Sequence, residues 1–367
     1  MVKKWHLLAT AIIIAALATV VVVNDQTGFL SDSISSTLPA ATTTVSPTPS
    51  SNAVLPSDSV LEVIFLDVGQ ADCILLKTGD HVMLIDAGNT GQDQFVLNYL
   101  AEYGVTKLDY LVATHPHADH IGSMASVVKA MKSIGMAIMP DKVHTTKTFE
   151  NLMNAIEEKD ISITNPSVGA EFSLGDANMQ VLAPKSAKYA DLNDYSIVLR
   201  VEFGTTVFLF TGDADGISEN EQLSQSFSLS ADVLKVGHHG SRTSSSQKYL
   251  DAISPIYAVI SCGTDNTYGH PHKEAMTRLM TKGVEIYRTD ENGTIIFVTD
   301  GKEITVSITK ESSTTSNVTL SYIGNKNSKT FHLSSCGSLP QEQNRIHFNS
   351  RQEAIDADYN ACNTCKP

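Results

Sequence analysis

Four residues able to bind metal stand within six positions of one another in Thr114-His-Pro-His-Ala-Asp-His-Ile-Gly122, namely His115, His117, Asp119 and His120. The segment leaves an apolar run, Leu108–Ala113, that reads as a buried strand, and it runs into the start of a helix. Two imidazoles two positions apart at a strand exit can turn toward one ion. A carboxylate and an imidazole at the helix start can face a second ion close by. A merely solvated loop has no need of ligand-type side chains at this density.

Further groups of the same kind follow apolar runs elsewhere. Phe208-Leu-Phe-Thr-Gly-Asp213 delivers a carboxylate at a strand end, where one side chain can neutralise part of two ions. Lys235-Val-Gly-His-His-Gly-Ser241 places His238 and His239 just past another buried strand, and Tyr268-Gly-His-Pro-His272 adds His270. His272 follows Pro271 and leads a helical run, so it reads as a solvent-facing helix start. His81 and His144 carry no motif and read as surface residues. Cys73 and Cys262, in apolar surroundings, read as buried thiols.

Positioning these residues calls for an α/β framework. Val60–Val68, Cys73–Lys77 and His81–Ile85 read as successive strands, Gln92–Tyr103 as a helix, Leu108–Thr114 as a buried strand and Ile121–Met131 as a helix. Ile197–Phe203 and Thr206–Phe210 flank a tight turn at Gly204-Thr205, and Val233–Val236, Tyr257–Ser261 and Thr294–Val298 complete the strand candidates. Residues 60–310 thus form one hydrolase-sized domain. A polar joint at 311–320 then leads to a short module over 321–367.

The pattern Thr-His-x-His-x-Asp-His resembles the metallo-β-lactamase superfamily, and from Leu61 to Ile308 the surrounding motifs resemble its ComEC-type competence hydrolases. Phe65-Leu-Asp-Val-Gly-Gln-Ala-Asp72 matches the opening strand of that branch, and Leu84-Ile-Asp-Ala-Gly88 matches the superfamily's first motif. The resemblance implies an αββα sandwich holding two divalent ions, zinc or manganese. It implies His115, His117, Asp119, His120, Asp213 and His270 as ligands, with Asp86 bracing the histidine loop from behind. It also implies Asp119, His238 and His239 as catalytic residues, with His238 or His239 either a ligand or the proton donor to the leaving group. Many relatives of other branches carry a further metal histidine where this chain has Asn193-Asp-Tyr-Ser196, and the ComEC-type branch carries Asn and Ser there. Asn193 and Ser196 therefore leave the first ion with His115, His117 and Asp213 alone, which weakens the case for zinc and makes manganese reasonable.

The C-terminal residues present His332 and Cys336 four apart and then Cys362-Asn-Thr-Cys365, a set that makes a tetrahedral structural zinc site. A disulfide between Cys362 and Cys365, or from Cys336 to either, is the alternative and leaves one thiol over. So small a module needs such a staple, because it cannot bury much apolar area. It resembles the Ada-type metal-binding domain, including Phe348-Asn-Ser-Arg-Gln-Glu-Ala-Ile with Ser350 as a helix cap. In Ada proteins the first ligand is a methyl-accepting cysteine. Here His332 stands in its place, so the repair chemistry is not implied, whereas metal-held structure and DNA contact are.

The N-terminus reads Lys3-Lys4, then an apolar stretch from Trp5 to Val23 free of acidic residues. This is the pattern of a signal anchor or signal peptide over 1–23, with the uncleaved anchor favoured because no small-x-small cleavage site follows. Residues 24–59 are a Ser/Thr/Pro-rich linker. The expectation is a single-pass cell-membrane protein with its catalytic domain outside the cytoplasm, or a secreted one.

The formal net charge of −14 lies almost wholly in the central domain, which excludes a passive nucleic-acid binder relying on basic surface. Three functions fit. The favoured one is an extracytoplasmic metal-dependent phosphodiesterase or nuclease acting on DNA, in uptake or extracellular degradation, with a metal-activated hydroxide attacking phosphorus. The alternative is a metallo-hydrolase of a small substrate such as a lactam, lactone, ester or cyclic nucleotide. The third is a non-catalytic surface module.

Overall fold

The computed structural model describes residues 59–310, 322–333, 336, 338–348 and 351–362. A first sheet is built from β1 (Leu61–Phe65), β2 (Ile74–Thr78), β3 (His81–Ile85), β4 (Lys107–Val112), β5 (Ser133–Ile138) and β6 (Ile163–Thr164). A second takes β7 (Glu171–Leu174), β8 (Ala177–Ala183), β9 (Val198–Phe203), β10 (Thr206–Phe210), β11 (Val233–Lys235), β12 (Tyr257–Ile260) and β13 (Glu285–Arg288). The chain then returns to the first sheet with β14 (Ile295–Thr299) and β15 (Ile304–Ile308), in the order β15-β14-β1-β2-β3-β4-β5-β6.

Alternation along the strands explains the layers. In β1, Leu61, Val63 and Phe65 point into the apolar layer between the sheets, where Phe203, Phe208 and Phe210 of the second sheet meet them. Ile64 points the other way, toward α1 (Asp93–Glu102), α2 (Ala118–Ile121), α3 (Met124–Ala130) and α4 (Lys147–Glu158). Leu209 of β10 likewise faces outward, toward α5 (Gly216–Leu223), α6 (Gln247–Ile253) and α7 (Lys273–Lys282). Strands buried on both faces read as continuous apolar runs, and the result is the expected αββα sandwich.

One expected helix is broken. The stretch expected as helix from Ile121 is split between α2 and α3 at Gly122-Ser123, because Gly122 packs on the backbone of residues 89 and 90. A β-carbon at Gly122 would lie 2.2 Å from Thr90 N, a distance no side chain tolerates. Gly122 N donates to Gly88 O and Ala87 N to His120 O, so this contact clamps the helix start to the Asp86 loop.

The C-terminal module has its own four-stranded sheet, β18-β16-β17-β19, formed by β16 (Tyr322–Asn325), β17 (Thr330–Leu333), β18 (Arg345–Phe348) and β19 (Asn360–Ala361). Tyr322, Phe331, Phe348, Ala354 and Tyr359 make its small core.

The expected membrane placement is corrected. Among the described residues no helix is long and apolar enough to cross a membrane, and Trp5–Val23, the segment expected to do so, lies outside the described residues. Neither the single-pass membrane reading nor the secreted one has support in the fold.

Candidate metal centre

Asp86 organises the histidine loop. Its backbone is left-handed at φ 57°, and its buried carboxylate accepts hydrogen bonds from Thr114 N (2.8 Å) and Thr114 Oγ1 (2.7 Å). The same carboxylate lies 2.7 Å from His120 Nδ1, which turns His120 Nε2 toward Asp213 Oδ2 at 3.3 Å. Burial opposes charge on His120, but Asp213, Asp86 and Asp119 overcome it and raise the imidazole well above its ordinary value.

His115 and His117 form a second convergence. His115 Nε2 stands 2.9 Å from His117 Nδ1 and 4.0 Å from Asp213 Oδ2. Two nitrogens bound tetrahedrally to one zinc at about 2.0–2.1 Å stand about 3.3 Å apart, so this pair, at hydrogen-bond distance from one another, would open slightly to share an ion. Burial and the charge of His120 hold His115 well below the ordinary imidazole value, in the neutral form that binds metal. Ser196 Oγ accepts from Asp213 N (3.1 Å) and lies 3.4 Å from His115 Nδ1, tying the Asp213 backbone to the first histidine.

The double histidine is resolved by backbone geometry. His238 and His239 both have left-handed φ, 48° and 51°, and this strained turn sends their rings in different directions. His239 Nδ1 donates to Ser261 O (2.9 Å), which points its Nε2 toward Asp119 Oδ2 (3.5 Å) and Asp213 Oδ2 (3.6 Å). Burial opposes charge on this ring, but Asp213 and Asp119 raise it above the usual imidazole value. His238 instead meets Asp215 through Nδ1 (3.2 Å) and Asn193 Nδ2 (3.3 Å), with Nε2 3.9 Å from Asp213 Oδ2. Burial lowers its basicity, but the Asp215 hydrogen bond and the charge of Asp213 raise it above the usual value.

The donor atoms of Asp119, His120, Asp213 and His239 lie within 4.8 Å of one another. His120 Nε2, His239 Nε2 and Asp213 Oδ1 are buried without a hydrogen-bond partner. Burying such atoms unsatisfied is costly, and a divalent cation among these residues would satisfy the two imidazole nitrogens, so the residues fit the expected metal. Burial works against the charge of Asp119, yet His120 and His239 prevail and hold its carboxyl far below the carboxylate range.

His270 stands outside that group. Its Nδ1 lies 3.3 Å from Gln70 Nε2 and its ring sits 5.4 Å from that of His238. Burial and the neighbouring His238 and His239 lower its pKa to about 4. Gly240 lets this segment approach, since a β-carbon there would lie 2.6 Å from Pro271 Cβ. His117, Asp119, Asn193, Asp213, His238 and His270 line a cleft of about 250 Å³.

Four residues given no role from sequence take part. Asp72 and Lys235 form a buried ion pair behind His120 and His239, Asp215 backs His238, and Gln70 holds His270. A lysine inside the apolar run Val233–Val236 was the one visible signal among them. His144, expected at the surface, brings its ring 6.4 Å from that of His117. Cys73 and Cys262 are buried, and burial together with Asp290 pushes the Cys262 thiol up to about 12.

In the C-terminal module the parallel pairing of β17 with β19 brings Cys362 beside His332. The donor atoms of His332, Cys336 and Cys362 lie within 4.8 Å, with His332 Nδ1 3.4 Å from Cys336 Sγ. Cys365 and Ser350 lie outside the described residues.

With this geometry in place, the metallo-beta-lactamase superfamily matches residues 66–264. The chain belongs to the metallo-β-lactamase superfamily. The metal binding domain of Ada matches residues 313–367. The superfamily domain is 30% identical over 252 residues to ComE operon protein 3 of Bacillus subtilis, covering 64% of this chain and 32% of that protein. It is 32% identical over 233 residues to competence protein ComA of Neisseria gonorrhoeae, covering 63% of this chain and 31% of that one. Recombination protein 2 of Haemophilus influenzae is 30% identical over 223 residues, covering 59% and 26%. The chain thus spans about a quarter to a third of the length of these relatives. It is a metal-binding hydrolase of the metallo-β-lactamase fold, related to ComEC-type competence proteins, with an Ada-type C-terminal domain.

Proposed function

We propose that this metallo-β-lactamase-fold protein is a two-metal phosphodiesterase that cleaves DNA. The observation that carries the reading is the cluster of Asp119, His120, Asp213 and His239, beside which His115 Nε2 stands 4.0 Å from Asp213 Oδ2 and 2.9 Å from His117 Nδ1 as a second donor group. Each group would hold one divalent ion, zinc or manganese. Such ions supply a nucleophilic water at neutral pH and neutralise charge that builds on phosphoryl oxygens.

The remaining chemistry belongs to the chain. His238, at the cleft wall with Nδ1 held by Asp215, is placed to give its proton to the leaving oxygen. Asn193 orients His238, and Asp86 keeps His120 turned inward. The cleft is open to solvent along its rim, which suits one linkage of an extended chain. The relatives, named as competence and recombination proteins, point the same way. In the C-terminal module, His332, Cys336, Cys362 and Cys365 would hold one structural zinc and keep a second DNA contact in shape.

The test incubates the purified chain with single- and double-stranded DNA under Mn²⁺, Zn²⁺ or chelator, beside His117→Ala. Metal-dependent cleavage lost in the variant is expected. Hydrolysis of a lactam, ester or cyclic nucleotide with DNA left intact would replace this reading by the small-substrate one.

A further inference from the structure

Tyr268 is 66% exposed at the rim of the cleft, although an aromatic ring left in water gains nothing for the fold. Its inner face stacks on His270, with centroids 5.7 Å apart and planes 22° from parallel. His270 is in turn fixed by Gln70 Nε2, and Gln70 is fixed by Gly263 N, which donates to its Oε1 at 3.1 Å. The loop that carries the tyrosine is laced by Asn266: its Oδ1 accepts from His270 N at 2.9 Å and its Nδ2 donates to Gly263 O at 2.9 Å. An exposed ring is therefore held in one orientation beside the reacting centre. That is how a binding platform is preorganised, and it is unlike a mobile surface residue.

With the phosphodiester seated in the cleft, whose rim Tyr268 forms, the bases flanking the bond extend along this rim. Every nucleobase offers a π-face, and stacking on an aromatic side chain is tolerant of sequence. Beyond Tyr268, Arg242 is exposed and its Nη2 lies 2.8 Å from His272 Nε2, giving the strand a cation on the same side of an otherwise acidic body.

We propose that Tyr268, braced by His270 and Gln70, is a nucleobase platform that stacks an unpaired or terminal base next to the bond being cut. The inference rests on the DNA phosphodiesterase reading. Tyr268 is a substrate-binding residue whose loss weakens capture of bases and leaves the chemistry of the phosphodiester alone.

The test compares kcat and KM of the full chain on a short oligothymidylate and on an abasic oligomer of equal length and charge. Wild type is expected to favour the base-bearing strand by about 10-fold, mainly through KM. Tyr268→Ala should bring that ratio close to one by raising KM for oligothymidylate only, and Tyr268→Trp should restore it. An unchanged ratio in Tyr268→Ala, or an equal fall on both substrates, overturns the platform while leaving the phosphodiesterase reading intact. Absence of cleavage of any DNA by wild type removes the phosphodiesterase reading and the platform with it.

Discussion

Lys235 Nζ lies 2.8 Å from Asp72 Oδ2 beneath the candidate metal centre, and neither side chain reaches solvent. Asp72 Oδ1 is 3.5 Å from His239 Nδ1, and Asp72 Oδ2 is 3.9 Å from His120 Nδ1, so the pair stands behind both imidazoles of the second donor group. The ammonium neutralises a carboxylate that would otherwise be buried without a cation.

Removing the lysine alone should therefore be severe. Lys235→Met is expected to lower the unfolding free energy by about 3–5 kcal/mol, since breaking a buried pair strands its partner. The double variant Asp72→Asn/Lys235→Met should recover a large part of that loss. Urea unfolding of the chelated protein measures both, and a single variant as stable as wild type would show that the pair contributes nothing.

Asp86 fixes which nitrogen of His120 faces the centre. Asp86→Ala should weaken metal binding at the second donor group by about 10- to 100-fold, the usual effect of losing a carboxylate behind a ligating histidine. Metal titration read against a competing chelator tests this. Unaltered affinity would mean that packing alone orients the ring.

His238 faces Asp215 and the cleft, so its loss should appear in the step that expels the leaving group. His238→Ala is expected to lower kcat on DNA by about 10²- to 10⁴-fold. A substrate with a p-nitrophenolate leaving group, which departs without a proton, should suffer far less. Equal losses on both substrates would place His238 in metal binding or folding instead.

The C-terminal donors lie in a module with its own small core. Cys336→Ser should reduce the zinc content of the chain by one equivalent, measured by elemental analysis after dialysis. The metal content of the central domain should be unaffected. An unchanged total would favour the disulfide alternative.

The readability of this chain followed the distance over which each feature is determined. Residues 115–120 were legible because ligand-type side chains crowd one short segment after a buried strand. The layered fold was legible because strands such as Phe208–Phe210 are apolar on both faces. Which of His238 and His239 turns inward was not, since it depends on two consecutive left-handed backbone angles. The pairing of Asp72 with Lys235 was also hidden, because it joins the loop before β2 of one sheet to the end of β11 in the other. The break at Gly122 came from a close approach by residues 89 and 90, a contact that helical periodicity does not report.

Anomalous diffraction from crystals of the protein loaded with manganese or zinc tests the proposed centre most directly. Two peaks are expected, one among His115, His117 and Asp213, the other among Asp119, His120, Asp213 and His239. Metal located elsewhere, in protein that cleaves DNA, would contradict the shared site.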